Sequence, residues 1–291
     1  MIKGSIVALV TPFNEDGSVN FEALTNLLEF QISNGTDGIL VLGTTGESST
    51  MTHEEDDSVV EHTMKVVNGR VPVIAGSGSN DTQTAIEKSL KYERMGVDAL
   101  LLITPYYNKA NEEGMIRHFL AVADRVHTPI IIYNVPGRTG CSLSLHAVEV
   151  LSKHKNIVGI KEASGNISYA ANVAKLLNDD FVMYSGNDDM VVPILSLGGS
   201  GVISVFANTN PKECHEMVTS YLNGDTKKAL DIQLKYLDYI HSLFYEVNPI
   251  PVKAALNLMG MHAGTLRLPL YEMSEANKAK MKAEMEKVGL L

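Results

Sequence analysis

The feature that most narrows the possible folds is a repeat. Eight short runs of branched apolar residues recur through the first two-thirds of the chain: SIVALV (5–10), GILVLG (38–43), VPVIAG (71–76), ALLLIT (99–104), PIIIYN (129–134), IVGIKE (157–162), FVMYSG (181–186) and GVISVF (201–206). They are nearly continuous rather than alternating, the pattern of parallel strands covered on both faces. Helical segments lie between them, among them Asn20 ahead of FEALTNLLEFQIS with Gly35 behind it, DTQTAIEKSLKYERMG (81–96), NEEGMIRHFLAVADRV (111–126), SLHAVEVLSKH (144–154) and NISYAANVAKLLN (166–178). An Asn or Asp at the start accepts from free amides of the first turn, and a glycine at the end takes the left-handed turn that closes a helix. Strand and helix repeated eight times predict an α/β chain folded as a (β/α)8 TIM barrel. A doubly wound open sheet is the alternative, and eight consecutive units of similar length fit closure better.

After the helix expected over 210–222 the strand signals stop. The segments 224–247, 251–260 and 274–289 all read as helices, the last with Ser274 as its cap. The predicted division is a catalytic barrel over 1–223 and a C-terminal helical region over 224–291 packed on it.

Composition excludes several function classes. The formal net charge of −10 argues against a nucleic-acid surface, which needs clustered Lys and Arg. No run of about 18 apolar residues is present, so no membrane span is expected. The start of the chain, MIKGSIVALVTPFNEDG, lacks a signal-peptide pattern. Cys141 and Cys214 have no metal-ligand spacing and read as two reduced thiols of a cytoplasmic protein.

In a barrel of this kind, reacting groups sit where strands end, in the βα loops. After the second strand comes GTTGE (43–47), where free amides and the hydroxyls of Thr44 and Thr45 point at one spot. Such a nest binds a carboxylate or phosphate, or is a plain tight turn. The fourth strand ends in TPYYN (104–108) and the fifth in Tyr133. These tyrosines are packing residues or proton carriers. NVPGRTG (134–140) puts Arg138 in a glycine-flanked loop, a fork for a carboxylate or a surface charge. The sixth strand ends in Lys161. Exposed, it is a rim lysine. Buried, its amine is driven neutral and attacks a carbonyl to form a Schiff base.

Other features carry less. Asp188 and Asp189 in GNDDM (186–190) read as helix caps rather than metal ligands, and the glycine-rich SLGGSG (196–201) precedes its strand and falls on the wrong face. GSGSN (76–80) lacks a neighbouring base, and His53, His118 and His262 are scattered singly.

At these residues the chain resembles the pyruvate-dependent class I aldolases, a family that includes the N-acetylneuraminate lyases. GTTGE, TPYYN, YNVPGRTG, GIKEASGN and GVISV fall in the family's order and spacing, and NPIPVKAAL (248–256) and LRLP (266–269) extend the likeness through the tail. The resemblance implies that Lys161 forms a Schiff base with pyruvate. The enamine then attacks L-aspartate 4-semialdehyde to give 4-hydroxy-tetrahydrodipicolinate, on the diaminopimelate route to lysine. It implies a proton relay of Tyr133, Thr44 and Tyr107, the last supplied to the neighbouring subunit. Thr44 and Thr45 would hold the pyruvate carboxylate, Arg138 that of the semialdehyde, and Gly186 and Ile203 would line the pocket. It further implies no metal or organic cofactor, small-molecule substrates only, and a homotetramer built as a dimer of dimers. The sibling alternative is the same chemistry on a sugar acid, and Arg138 tilts against it. A metal-dependent barrel enzyme using Asp188 and Asp189, or a barrel that binds metabolites without chemistry, are the alternatives of another class. Relatives inhibited by lysine share Ser48, His53, Asn80 and Tyr106, but carry a histidine in place of Asp56 and a glutamate in place of Thr84. Weak or absent feedback inhibition is therefore expected.

Overall fold

A computed structural model describes residues 2–291 of the chain. Eight parallel strands, β1 (Gly4–Ala8), β2 (Gly38–Val41), β3 (Val73–Gly76), β4 (Ala99–Ile103), β5 (Ile130–Asn134), β6 (Ile157–Glu162), β7 (Val182–Ser185) and β8 (Gly201–Ser204), pair in sequence order. β8 returns to β1, so the sheet is a closed barrel rather than an open one. Seven of the eight apolar runs contain their strand, most of them trimmed by one or two residues, and β1 begins one residue ahead of its run at Gly4. At the closing seam Gly4 faces Gly201, and a β-carbon on Gly201 would stand 1.9 Å from the Gly4 carbonyl oxygen. Only glycine allows that approach.

Twelve helices accompany the strands: α1 (Phe21–Ser33), α2 (His53–Val67), α3 (Thr82–Met95), α4 (Glu112–Ala123), α5 (Pro136–Thr139), α6 (Leu145–Leu151), α7 (Ile167–Ala174), α8 (Val191–Ser196), α9 (Pro211–Leu222), α10 (Thr226–Ser242), α11 (Ile250–Leu258) and α12 (Glu275–Val288). The expected caps form. Asn20 accepts from Ala23 N, Asp81 from Thr84 N, Asn111 from Gly114 N and Ser274 from Asn277 N. α2 was not among the predicted helices, although Thr52 and Glu55 form a reciprocal capping box at its start. Its mean hydropathy is low because acidic residues fill its first turns, which hid the apolar stripe of Val59, Val60 and Val67. α5 and α8 are too short to show a period.

The apolar residues fall into two cores. Inside the barrel, Ile6, Ala8, Leu40, Ile74, Leu101, Ile131, Tyr133, Tyr184 and Ile203 pack together. Outside it, the alternate strand residues meet the helices in one larger cluster. Within α1 the stripe Leu24, Leu27, Leu28 belongs to that cluster, and truncating fully buried Leu27 to alanine would cost about 2–5 kcal/mol. Tyr239, Ile240, Leu256, Met281 and Met285 of α10–α12 belong to the same outer cluster, so the C-terminal helices share the barrel's core. Cys141 and Cys214 are unpaired, and among the described residues no helix is long and apolar enough to cross a membrane.

Candidate active site

The register of the barrel brings the predicted residues together. Tyr133 on β5 is the direct neighbour of Lys161 on β6, which in turn neighbours Tyr184 on β7. The Lys161 ammonium nitrogen lies 4.3 Å from the centre of the Tyr133 ring, and the residue is only 6% exposed. Among the described residues no carboxylate or carbonyl is hydrogen-bonded to it. Burial drives the Lys161 pKa down to about 7; Asp188 opposes the fall and the Arg138 guanidinium reinforces it. A large share of the amine is therefore neutral at physiological pH, which an exposed rim lysine would not be.

The surroundings of Lys161 are fixed by its neighbours. Gly186 lies against its chain, and a β-carbon there would come within 3.2 Å of Lys161 Cε and 2.6 Å of Ala163 Cβ. Glu162, buried, accepts from Asn134 Nδ2 at 2.8 Å and from Ser164 N at 2.7 Å, tying the end of β6 to the end of β5. Ile203 is 1% exposed within the barrel interior. Asp188 does act as a cap, but not of the turn it begins. It accepts from Ser204 Oγ at 2.5 Å, Val205 N at 2.9 Å and Phe206 N at 3.0 Å, the amides that open the turn after β8. Asp189 is exposed, 3.6 Å from His241. Among the described residues no three His, Cys, Asp or Glu side chains converge as metal ligands would.

A cavity of about 720 Å³ opens at the carboxyl end of the strands, lined by Gly43, Thr44, Tyr106, Tyr107, Tyr133 and Arg138, and it runs sideways to Ser48, His53, Asp56, Thr84 and Lys88. Burial pushes the Tyr133 phenol up to about 12, against the pull of Arg138 and the Thr44 hydroxyl beside it. The phenol therefore keeps its proton at neutral pH and can hand it on. Leu42, just ahead of the GTTGE turn, holds a positive φ of 58°, and Tyr107 one of 71°. Strain of this kind in non-glycine residues gathers at functional sites. Tyr107 is 90% exposed, so within one chain it borders the cavity without being packed into it.

Two residues outside the strand ends are bonded to the GTTGE turn. Asn248, between α10 and α11, donates to Thr45 Oγ1 at 2.9 Å, and its carbonyl accepts from Arg138 Nη2 at 3.4 Å. Lys253 on α11 donates to Glu47 Oε1 at 2.8 Å, with both side chains 1% exposed, and also to the carbonyls of Thr11 and Thr265. The backbone N–H of Arg267 donates to Glu47 Oε2 at 3.2 Å. The tail motifs NPIPVKAAL and LRLP thus grip the GTTGE turn. Residue type alone could not place Asn248, because an isolated Asn between helices carries no chemical signature.

His118 is buried beside Thr82 at 2.9 Å, and the glycines of SLGGSG lie at the amino end of β8, away from the cavity.

The arrangement suits covalent capture of a keto acid, with a desolvated amine, a protonated phenol and two groups able to hold carboxylates. The chain is similar over its whole length to known proteins. The chain is 54% identical to the 4-hydroxy-tetrahydrodipicolinate synthase of Thermoanaerobacter pseudethanolicus over 100% of its length and 98% of the relative's. It is 52% identical to 4-hydroxy-tetrahydrodipicolinate synthase 1 of Clostridium acetobutylicum, covering 100% and 99%. Among solved structures, the chloride-inhibited dihydrodipicolinate synthase of Acinetobacter baumannii complexed with pyruvate superposes with a TM-score of 0.98 at 41% identity, over 100% of both chains. The profile of the Dihydrodipicolinate synthetase family matches residues 1–288. With Lys161, the turn of threonines and the tail all inside that match, the chain belongs to the dihydrodipicolinate synthetase family.

Proposed function

We infer that this chain is an enzyme that condenses pyruvate with L-aspartate 4-semialdehyde to give 4-hydroxy-tetrahydrodipicolinate, as the names of its relatives describe. The observation that carries the mechanism is the Lys161 amine, buried without a charged partner and drawn down to about 7. The neutral nitrogen adds to the ketone carbon of pyruvate, and loss of water gives an iminium. The iminium withdraws electrons, so the methyl carbon loses a proton and becomes an enamine nucleophile. That carbon attacks the aldehyde carbon of the semialdehyde, whose oxygen takes up a proton. The substrate's own amino group then adds to the iminium carbon, closing the ring and expelling the lysine amine. The iminium itself supplies the electron sink, so the scheme calls for no metal or organic cofactor.

In this reading Tyr133, Thr44 and Tyr107 pass the protons, Tyr107 serving the neighbouring subunit, consistent with its exposure in one chain. Thr44 and Thr45 hold the pyruvate carboxylate and Arg138 that of the semialdehyde. Gly186 and Ile203 shape the wall around the nucleophile. The reading includes a catalytic barrel over 1–223 with the helical region 224–291 packed on it, a homotetramer, and a cytoplasmic location on the route to lysine.

The test sets condensation of pyruvate and L-aspartate 4-semialdehyde beside cleavage of N-acetylneuraminate, each with and without chelator. Condensation that survives chelation is the expected result. Cleavage of the sugar acid without condensation, or activity abolished by chelator, would overturn the assignment.

A further inference from the structure

Asn248 reaches both carboxylate-holding groups from a single position. It is 5% exposed, its side-chain amide is hydrogen-bonded to Thr45, and its main-chain carbonyl is bonded to Arg138. A hydroxyl has one proton to give and two lone pairs to receive. With the Asn248 N–H filling a lone pair of Thr45 Oγ1, the hydroxyl proton is left free to point at a ligand. Among the described residues the Thr45 hydroxyl donates to nothing else. The other atom of the amide, Asn248 Oδ1, is buried without a partner. The polar contribution of this side chain is therefore the N–H given to Thr45. The Lys253–Glu47 pair, five residues further along the tail and two residues past Thr45, holds the same two segments together at a second point.

We propose that Asn248 is a positioning residue: its side chain sets the Thr45 hydroxyl as a donor toward the keto-acid carboxylate, while its carbonyl steadies Arg138. The proposal rests on the reading that Thr45 and Arg138 hold substrate carboxylates. It gives the side chain and the main chain of one residue separate duties. Side-chain changes should therefore weaken the keto acid far more than the semialdehyde.

The test is steady-state kinetics and borohydride trapping with pyruvate on Asn248→Ala, on the near-isosteric Asn248→Asp, and on both changes in a Thr45→Val background. Asn248→Ala should raise the pyruvate KM about tenfold, the effect of weakening one hydrogen bond to a charged group, with the semialdehyde KM changed by less than about twofold. Asn248→Asp turns the donor into an acceptor that captures the Thr45 proton, so it should raise the pyruvate KM more than alanine does, although its shape is nearly unchanged. With Thr45→Val in place, either change at 248 should add less than about twofold, because the group it acts through is gone. A folded Asn248→Asp with the wild-type pyruvate KM would overturn the proposal, as would equal effects with and without Thr45 or equal losses for both substrates. Trapping of the wild type separates the two levels. An adduct on the wild type with unchanged variants refutes only the role of Asn248, whereas no adduct on the wild type refutes the Schiff-base reading beneath it.

Discussion

Two lysines are buried among the described residues, and they are opposites. Lys253 is 1% exposed and has Glu47 at 2.8 Å, two carbonyls, and the Phe13 ring 4.4 Å from its nitrogen. Lys161 is 6% exposed and has a ring on one side and no carboxylate or carbonyl bonded to it. Burial pulls the pKa of both downward, and at Lys253 the Glu47 carboxylate opposes the pull, first by its charge and then by its hydrogen bond. The difference teaches that burial alone does not make an amine reactive. A buried ammonium surrounded by acceptors is a structural tie, and one left without them gives up its proton more readily.

The sharpest way to break this contrast is to remove each amine in turn. Lys161→Met should lower turnover by ~10³-fold or more, since the covalent route is lost. It should leave the fold intact and raise the melting temperature, because a desolvated amine has been exchanged for an apolar chain of similar length. Lys253→Met should instead destabilise the fold. It strands Glu47 in the core at a cost of about 3–5 kcal/mol, lowering the melting temperature by roughly 6–15 °C. Calorimetry beside initial rates checks both, and a Lys161→Met protein that melts well below the wild type would break the contrast.

Replacing the phenol comes next in size. Tyr133→Phe keeps the ring against Lys161 but removes the proton, and turnover should fall by about 10²–10⁴-fold while the protein stays folded. Rates within a few-fold of the wild type would exclude Tyr133 from proton transfer.

The lowered pKa of Lys161 should also show in the response to pH. Turnover at low pyruvate should rise with pH through about 7 as the Lys161 amine is freed, and a limb displaced to near 10 would mean a normal, solvated lysine. The folded pKa lies below the unfolded one, so the unfolded chain binds more protons between about 7 and 10.5 and the wild type gains stability as pH rises across that window. Lys161→Met should lose the share of that slope that Lys161 contributes, which melting curves at several pH values would show.

The smallest expected effect is regulatory. In the side lobe of the cavity Lys88 donates to Asp56 at 2.8 Å, and Thr84 turns its hydroxyl to Asp81 at 2.6 Å. A cation of the protein already answers Asp56, and no free carboxylate stands at 84 to hold an incoming ammonium. Initial rates should change by less than about twofold in submillimolar lysine, where strong inhibition would contradict the expectation.

Much of this was legible in the chain because the signals are local. The eight apolar runs located every strand, and ILVLG-then-TTGE or IIIYN-then-VPGR each mark a strand end with the chemistry next to it in sequence. What stayed hidden depends on long-range packing. Asn248 meets Thr45 across 203 positions and Lys253 meets Glu47 across 206, and neither pairing leaves a periodic trace. α2 is hard to read for another reason: its first turns are acidic and its apolar stripe is narrow. Asp188 read as a cap, yet the amides it holds lie 17 and 18 positions away, beyond the reach of a local rule.

The central claim is that the unpaired buried amine, and not the paired one, forms the covalent bond. Borohydride reduction with pyruvate, followed by intact mass and peptide mapping, tests it directly. One adduct per chain is expected, on Lys161, with Lys253 unmodified and no adduct on Lys161→Met. A wild-type protein that stays unmodified, or an adduct that maps to any other lysine, would contradict it.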